Sequence, residues 1–372
     1  MQHSQEYVKN PAISQSDLKL FEENIVRFHK EKILGELVEE KKGDHFDLGN
    51  LVDTILIAPE MKGMYYVVTD YKAAGKLRDV LDRLFNNCKA KYGDEWLVET
   101  ASREKKVVTM LEVDEQMMRE AITAEEWQNN WKMETKVAKL KDTGSEYWTQ
   151  LLEAEGKVMV SLENWTKAHT VADDILEDEF IGRELAALKQ ENSKELTPVP
   201  GALVVHKHAV LFGVFRGTKM KGELDFFIQD IETMTIWPWD VKSAKSLAQF
   251  KSNYRKFRYG RQGSFYSNLL VQNFPGYTVK PFQFLVIPTE SGEYPEKFTM
   301  SNDELYACAD GFESKNGYRI KGWKDLIAEY EWHQLTGKWK HKKEYYETGT
   351  NLLKPGEVLD PALLDVQEEV IF

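Results

Sequence analysis

A chain of 372 residues with 42% hydrophobic, 30% charged and 12% aromatic residues can bury a full core, which excludes a disordered polymer. Its net charge of -12 excludes unspecific wrapping of nucleic acid by the whole surface, so any anion-binding path must be confined to part of an acidic body. Only Cys88 and Cys308 are present, far apart and outside any Cys-x-x-Cys or Cys/His spacing, so neither a disulfide framework nor a zinc or iron–sulfur site is indicated.

No apolar run approaches the length of a membrane span, so a membrane partner is not expected. The opening Met-Gln-His-Ser-Gln-Glu has neither a basic start nor an apolar stretch, which sets the expectation of no secretory signal and a cytoplasmic location. The first predicted element is a core-facing helix from Ile13, where Ser14 or Ser16 can cap and Leu18, Phe21, Ile25 and Phe28 recur at helical spacing. A second covers residues 46–59 and is stopped by Pro59. Its apolar Leu51, Val52, Ile55 and Leu56 surround Asp53, a carboxylate that such a setting obliges to find a partner or a metal.

Residues 69–189 read as a helical layer, broken by a turn at Lys141-Asp-Thr-Gly144. Residues 191–201, rich in Pro, Ser and Gly, read as a loop, and 202–215 as a strand rich in Val, Leu and Phe. His206 and His208 alternate along that strand, where a surface pair is a commoner reading than a pair of ligands. Further on, 282–287 reads as a buried strand, and 304–313 and 323–339 as helices. From Pro355 the chain is acidic and ends in Val-Ile-Phe372; it could dock into a partner, although a packed or frayed terminus is commoner.

The chemistry concentrates between Gly222 and Tyr266. Two apolar, strand-like runs, 224–228 and 236–241, each carry an aspartate, Asp225 and Asp240. Strand side chains alternate with period two, so Asp240 and Lys242 share a face, and a hairpin would point both aspartates into one cavity. Carboxylates that hold hard divalent cations, beside a lysine that can orient water or balance charge on a phosphate, suit phosphodiester hydrolysis. From Val241 to Thr289 there is no Asp or Glu, while Lys242, Lys245, Lys251, Arg255, Lys256, Arg258, Arg261 and Lys280 reverse the local sign of the chain. Tyr254, Phe257, Tyr259, Phe265 and Tyr266 interleave with them, as on a surface that meets phosphates together with sugars or bases. A Lys/Arg-rich helix alone is more often a solvated face; the ordered combination carries the nuclease reading.

These residues resemble the PD-(D/E)XK nucleases, and within them the RecE-like phage and prophage exodeoxyribonucleases that share their core with the RecB nuclease domain. The likeness covers roughly residues 11–345. Gly49-Asn-Leu-Val-Asp53 followed by apolar residues and Pro-Glu60 is similar to the family's Gly-x-x-x-His motif, with Asp53 at the histidine position. Gly222-Glu-Leu-Asp225 and Asp240-Val241-Lys242 match its acidic and Asp-x-Lys motifs, and Gln262 with Tyr266 its Gln-x-x-x-Tyr.

The resemblance implies an α/β fold with a central mixed sheet flanked by helices and a long N-terminal helical portion packed on it. It implies one domain, 1–345, made of a helical portion 11–190, a catalytic core 200–290 and C-terminal helices 300–345, with an acidic tail 346–372. It implies Mg²⁺, for which Mn²⁺ can substitute, held by Asp53, Asp225, Asp240 and the backbone carbonyl of Val241. Asp225, Asp240, Lys242, Gln262 and Tyr266 would be the catalytic residues, and Lys245, Lys251, Arg255, Lys256, Arg258 and Arg261 would guide DNA. Asp230 and Glu232, in a connection longer than a minimal hairpin, are weaker ligand candidates. The activity implied is digestion of double-stranded DNA from an end, 5′ to 3′, in a bacterial host cell. It would leave a single strand for recombination with a single-strand annealing protein as partner, and relatives form ring-shaped homo-oligomers. Two rival readings are a non-catalytic DNA-end-binding or assembly subunit of the same fold, and an endonuclease of that fold.

Overall fold

The computed structural model describes residues 5–36, 48–93, 98–99, 105–106, 109–185, 187–188, 203–290, 292–313 and 319–350. The loop expected at 191–201 and the acidic tail from Pro355 lie outside the described residues. The chain divides into two compact units, Met1–Pro59 with Ala168–Phe372, and Glu60–Lys167. Residues 60–167 thus form a unit of their own within the stretch 11–190 that the sequence presents as one helical portion.

Helix α1 (Gln15–Glu23) starts where the capping residues dictate. Asp17 N–H donates to Ser14 Oγ at 3.1 Å, and Ser14 N–H donates to Asp17 Oδ2 at 2.9 Å, so two otherwise orphaned donors are satisfied reciprocally. Leu18, Phe21, Ile25 and Phe28 all enter one core, as their spacing predicts. Helix α2 (Leu48–Leu56) is buried along its length apart from Asn50, which leaves Asp53 only 5% exposed.

In the Glu60–Lys167 unit, strand β1 (Tyr65–Val68) is followed by helices α3 (Gly75–Tyr92), α4 (Glu115–Ala124) and α5 (Met133–Glu153). Strand β2 (Val158–Ser161) then pairs with β1 in parallel. Leu81, Leu84, Met118, Leu140 and Trp148 are fully buried in its core. The turn expected at 141–144 does not exist, because α5 runs through it. Gly144 is there for proximity: a Cβ would stand 2.9 Å from Leu81 Cδ2, so the missing side chain lets α3 lie close against α5.

The other unit holds a six-stranded mixed sheet. Its strands include β3 (Leu203–Phe215), β4 (Thr218–Asp230) and β5 (Thr235–Ala244), which form an antiparallel meander. Helices α6 (Leu247–Lys256) and α7 (Tyr259–Asn273) cross over to β6 (Gln283–Pro288), which returns parallel to β5 and is buried throughout. Strand β7 (Glu296–Thr299) closes the order β7-β6-β5-β4-β3, and the short Thr278–Val279 strand also lies beside β5. Helices α8 (Asn302–Asp310) and α9 (Trp323–Thr336) follow. Both stop three residues short of the expected ends, at Gly311 and Gly337. The fold is therefore the anticipated α/β class, a central mixed sheet flanked by helices. No helix among the described residues is long and apolar enough to cross a membrane.

Candidate active site

The site forms where the β4–β5 hairpin opens. The two strands pair from Asp230–Thr235 down to Phe226–Trp239, and β5 then continues with β6 as its partner. One step beyond the last pair stand Asp225 and Asp240. Asp225 replaces the missing ladder bond with its side chain: Val241 N–H donates to Asp225 Oδ2 at 2.7 Å. Asp240 is 2% exposed; Gln262 Nε2 donates to its Oδ1 at 3.2 Å, and the ammonium of Lys242 pairs with its Oδ2. Lys242, two residues on, shares the face that period two assigns to it.

Helix α7 supplies the other side. Gln262 and Tyr266 lie one turn apart, with Gln262 Nε2 3.5 Å from the Tyr266 hydroxyl. The approach of this helix depends on Gly222, where a Cβ would meet Leu269 Cδ1 at 2.7 Å and Tyr266 Cε1 at 2.8 Å. The glycine of Gly-Glu-Leu-Asp thus serves packing of the helix that carries Gln262.

Electrostatics sets these groups apart. Burial, and then the charges of Asp225 and Asp240, push the Asp53 carboxyl up to about 8. Burial outweighs the opposing Lys242 ammonium and pushes Asp240 up to about 7, with Asp225 adding repulsion. Burial alone would favour the neutral amine of Lys242, but Asp240 and Asp225 overcome it and raise its pKa. Burial also raises the Tyr266 hydroxyl, which stays protonated. Three carboxyl groups within electrostatic reach of one another cannot all stay ionised under cover beside one lysine, and a bound cation would favour their ionised forms.

Asp53 supplies the test of fit: both its carboxylate oxygens are buried with no hydrogen-bond partner among the described residues. Such an orphaned acceptor pair suits a hard cation. Among the described residues, however, no three His, Cys, Asp or Glu side chains already stand close enough to hold one ion. The two hairpin aspartates are directed at Val241 N–H and Lys242 instead, so an ion held there would have to displace the Lys242 ammonium from Asp240.

The basic tract divides. Lys251, Arg255 and Lys256 on α6 are exposed, as is Lys245, whose ammonium lies 3.8 Å from Glu290. Arg258 is half-buried at the break between α6 and α7, with a left-handed φ of +59°. Arg261 does not belong to the exposed face: it is 3% exposed, and its Nη2 pairs with Glu22 Oε2 at 2.6 Å. The interleaved aromatics also change meaning. Phe265 is fully buried and Tyr266 nearly so, and the Tyr254 hydroxyl donates to Glu304 Oε1 at 3.1 Å, so these rings build core and do not offer faces to bases. Asp230 is not a ligand candidate, because it caps the hairpin turn by accepting from Glu232 N–H at 2.9 Å and Thr233 N–H at 3.1 Å. Asp230 and Glu232 lie five or more residues up the hairpin from Asp225, about 16 Å at strand rise.

For His208 the sequence favours a surface pair with His206 over a pair of ligands. Period two places His206 and His208 on one face, yet His206 stacks on Phe227 with centroids 4.2 Å apart while His208 Nε2 stands 3.8 Å from Asp53 Oδ2. The ladder pairs Lys207 with Phe226 and Ala209 with Leu224 but skips His208 and Asp225 between them, and His208 has φ +43°. That local break in alternation brings His208 to the site; a second histidine in a strand-like run was its only signal.

No protein-family model matches the chain, and no curated protein matches it. A crystal structure from Eubacterium rectale, of a protein provisionally assigned as an exonuclease, aligns at 15% identity with a TM-score of 0.39, covering 82% of this chain and 80% of that one. At that score the likeness carries no argument for fold or activity here.

Proposed function

We propose that the protein is a metal-dependent nuclease of the PD-(D/E)XK type, hydrolysing double-stranded DNA from an end in the manner of the RecE-like exodeoxyribonucleases. The observation that carries the reading is the gathering of Asp53, Asp225, Asp240 and Lys242, from one helix and one splayed hairpin, into a single electrostatic cluster. Asp53, Asp225 and Asp240, with the Val241 carbonyl, would hold Mg²⁺ or Mn²⁺. When bound, such an ion acidifies a water and offsets charge on the phosphate.

The chain's own residues then have distinct tasks. Gln262 holds one oxygen of Asp240 and so fixes the carboxylate's orientation. Lys242 would present its ammonium to the attacking water or the phosphate, and the charge of Asp225 and of the phosphate would favour its proton once Asp240 turned to the ion. The exposed Lys251, Arg255 and Lys256 attract the DNA backbone. Assembly into a ring, 5′ to 3′ polarity and delivery of a single strand to an annealing protein extend the same reading through its resemblance.

The closed Asp240–Lys242 pair favours one rival, a DNA-end-binding subunit in which lysine permanently takes the cation's place. Digestion of linear and closed circular double-stranded DNA in Mg²⁺, Mn²⁺ or EDTA separates the readings. Metal-dependent loss of linear DNA alone supports the exonuclease. Cutting of circles indicates an endonuclease, and end binding without cleavage in any metal supports the subunit.

A further inference from the structure

His208 lies outside the set that the proposed function uses, yet both its backbone and its side chain single it out. A φ of +43° in the middle of β3 is strained for a non-glycine residue and persists only where the surroundings enforce it. The distortion sits directly across from Asp225, at the one position that the β3–β4 ladder skips. It delivers Nε2 to 3.8 Å from Asp53 Oδ2. That distance is too long for a hydrogen bond. It does match two donor atoms sharing one ion, since ligands each about 2.1 Å from a metal lie roughly 3–4 Å apart. Asp53 is 5% exposed, and neither of its carboxylate oxygens has a hydrogen-bond partner among the described residues.

We propose that Nε2 of His208 is a ligand of the divalent cation, shared with Asp53, so that the site is a mixed nitrogen–oxygen set. The proposal rests on the nuclease reading for the place of the cation and adds a donor from β3 to the donors from α2, β4 and β5. Imidazole nitrogen suits Mn²⁺ better than it suits Mg²⁺ or Ca²⁺, so the protein should bind Mn²⁺ the most tightly of the three.

The experiment is electron spin echo spectroscopy of Mn²⁺ bound to the full-length protein without DNA, beside a binding titration. Nitrogen modulation from an imidazole is expected in the parent. It should vanish in His208→Asn, whose side chain tolerates positive φ, and in His208→Gln, with thermal melts confirming that each variant folds. The Kd for Mn²⁺ should rise on the order of 10-fold or more in both. Mn²⁺ that binds, is lost in Asp240→Asn, yet shows no nitrogen modulation overturns the proposal and leaves the nuclease reading standing. Modulation that survives both histidine substitutions comes from another ring and overturns it equally. Mn²⁺ that does not bind, or binds Asp53→Asn and Asp225→Asn as tightly as the parent, overturns proposal and reading together.

Discussion

In the Glu60–Lys167 unit, Arg78 Nε donates to the Tyr147 hydroxyl at 3.1 Å, and that hydroxyl donates to Asp82 Oδ1 at 2.8 Å. Arg78 also lies 3.5 Å from Asp82 and 4.3 Å over the Tyr71 ring. In the sheet-bearing unit, Asp53 has two buried oxygens with no hydrogen bond among the described residues, and Asp225 and Asp240 add like charge beside it. The first cluster balances its charge and satisfies its donors, which is how a fold uses polar groups for structure. The second is held together against repulsion. A fold tolerates that only where the surrounding structure enforces it, and such places are where chemistry is found.

Substitution in each cluster should therefore read out differently. The largest effect is expected at Lys242→Ala and Asp240→Asn: loss of rate on the order of 10²-fold or more, with little change in DNA binding measured in EDTA. Tyr147→Phe should leave the rate alone and lower stability by about 1 kcal/mol, seen as a shift in the denaturant midpoint. If Tyr147→Phe and Lys242→Ala changed the rate alike, the contrast between the clusters would disappear.

The next effect concerns Arg261 against its exposed neighbours. Arg261→Gln leaves Glu22 without its buried partner and should cost about 3–5 kcal/mol of stability. Gln at Lys251, Arg255 and Lys256 together should barely alter the melt but weaken DNA binding and flatten its salt dependence, by about 0.9 in log–log slope for each phosphate no longer neutralised. A flattened slope in the Arg261 variant and an unaltered one in the triple variant would reverse the assignment.

The sheet-bearing cluster should also make stability depend on pH. Burial and mutual repulsion push Asp53 up to about 8 and Asp240 up to about 7 in the folded protein, against about 4 for an unfolded aspartate. As pH rises above about 4 the unfolded chain gives up these protons first, so the metal-free protein loses stability progressively until about pH 8 and levels off above it. Below pH 4 both states hold the protons and the penalty is absent. Thermal melts in EDTA at pH 5, 6.5 and 8 should show this decline, Asp53→Asn should flatten it, and Mg²⁺ should stabilise more at pH 8 than at pH 5. Gly222→Ala should cost about 1–3 kcal/mol from crowding Tyr266 and Leu269, read as a shift in the denaturant midpoint.

The legible and illegible parts of the molecule differ for physical reasons. Period two within a hairpin is local, so Asp225, Asp240 and Lys242 could be placed together from sequence, and helical spacing did the same for Gln262 with Tyr266. The α/β class was implied by the resemblance that these motifs carry. Arg261 was misplaced because its partner, Glu22, is 239 residues away, and a run of positive charges looks the same whether solvated or paired. Gly144 resembled a turn because a glycine used for helix proximity and one used for chain reversal have the same residue code. His208 was read with His206 as a commoner surface pair, because what separates the two is a left-handed φ that breaks the period from which faces are counted.

The nuclease assignment is tested most sharply by the release of nucleotides from linear double-stranded DNA by the parent, Asp240→Asn and Lys242→Ala proteins, each with Mg²⁺ and with EDTA. Release by the parent in Mg²⁺ only is expected, with a rate lower on the order of 10²-fold or more in both variants. Release by the parent in EDTA, or equal release by all three proteins, would refute the assignment.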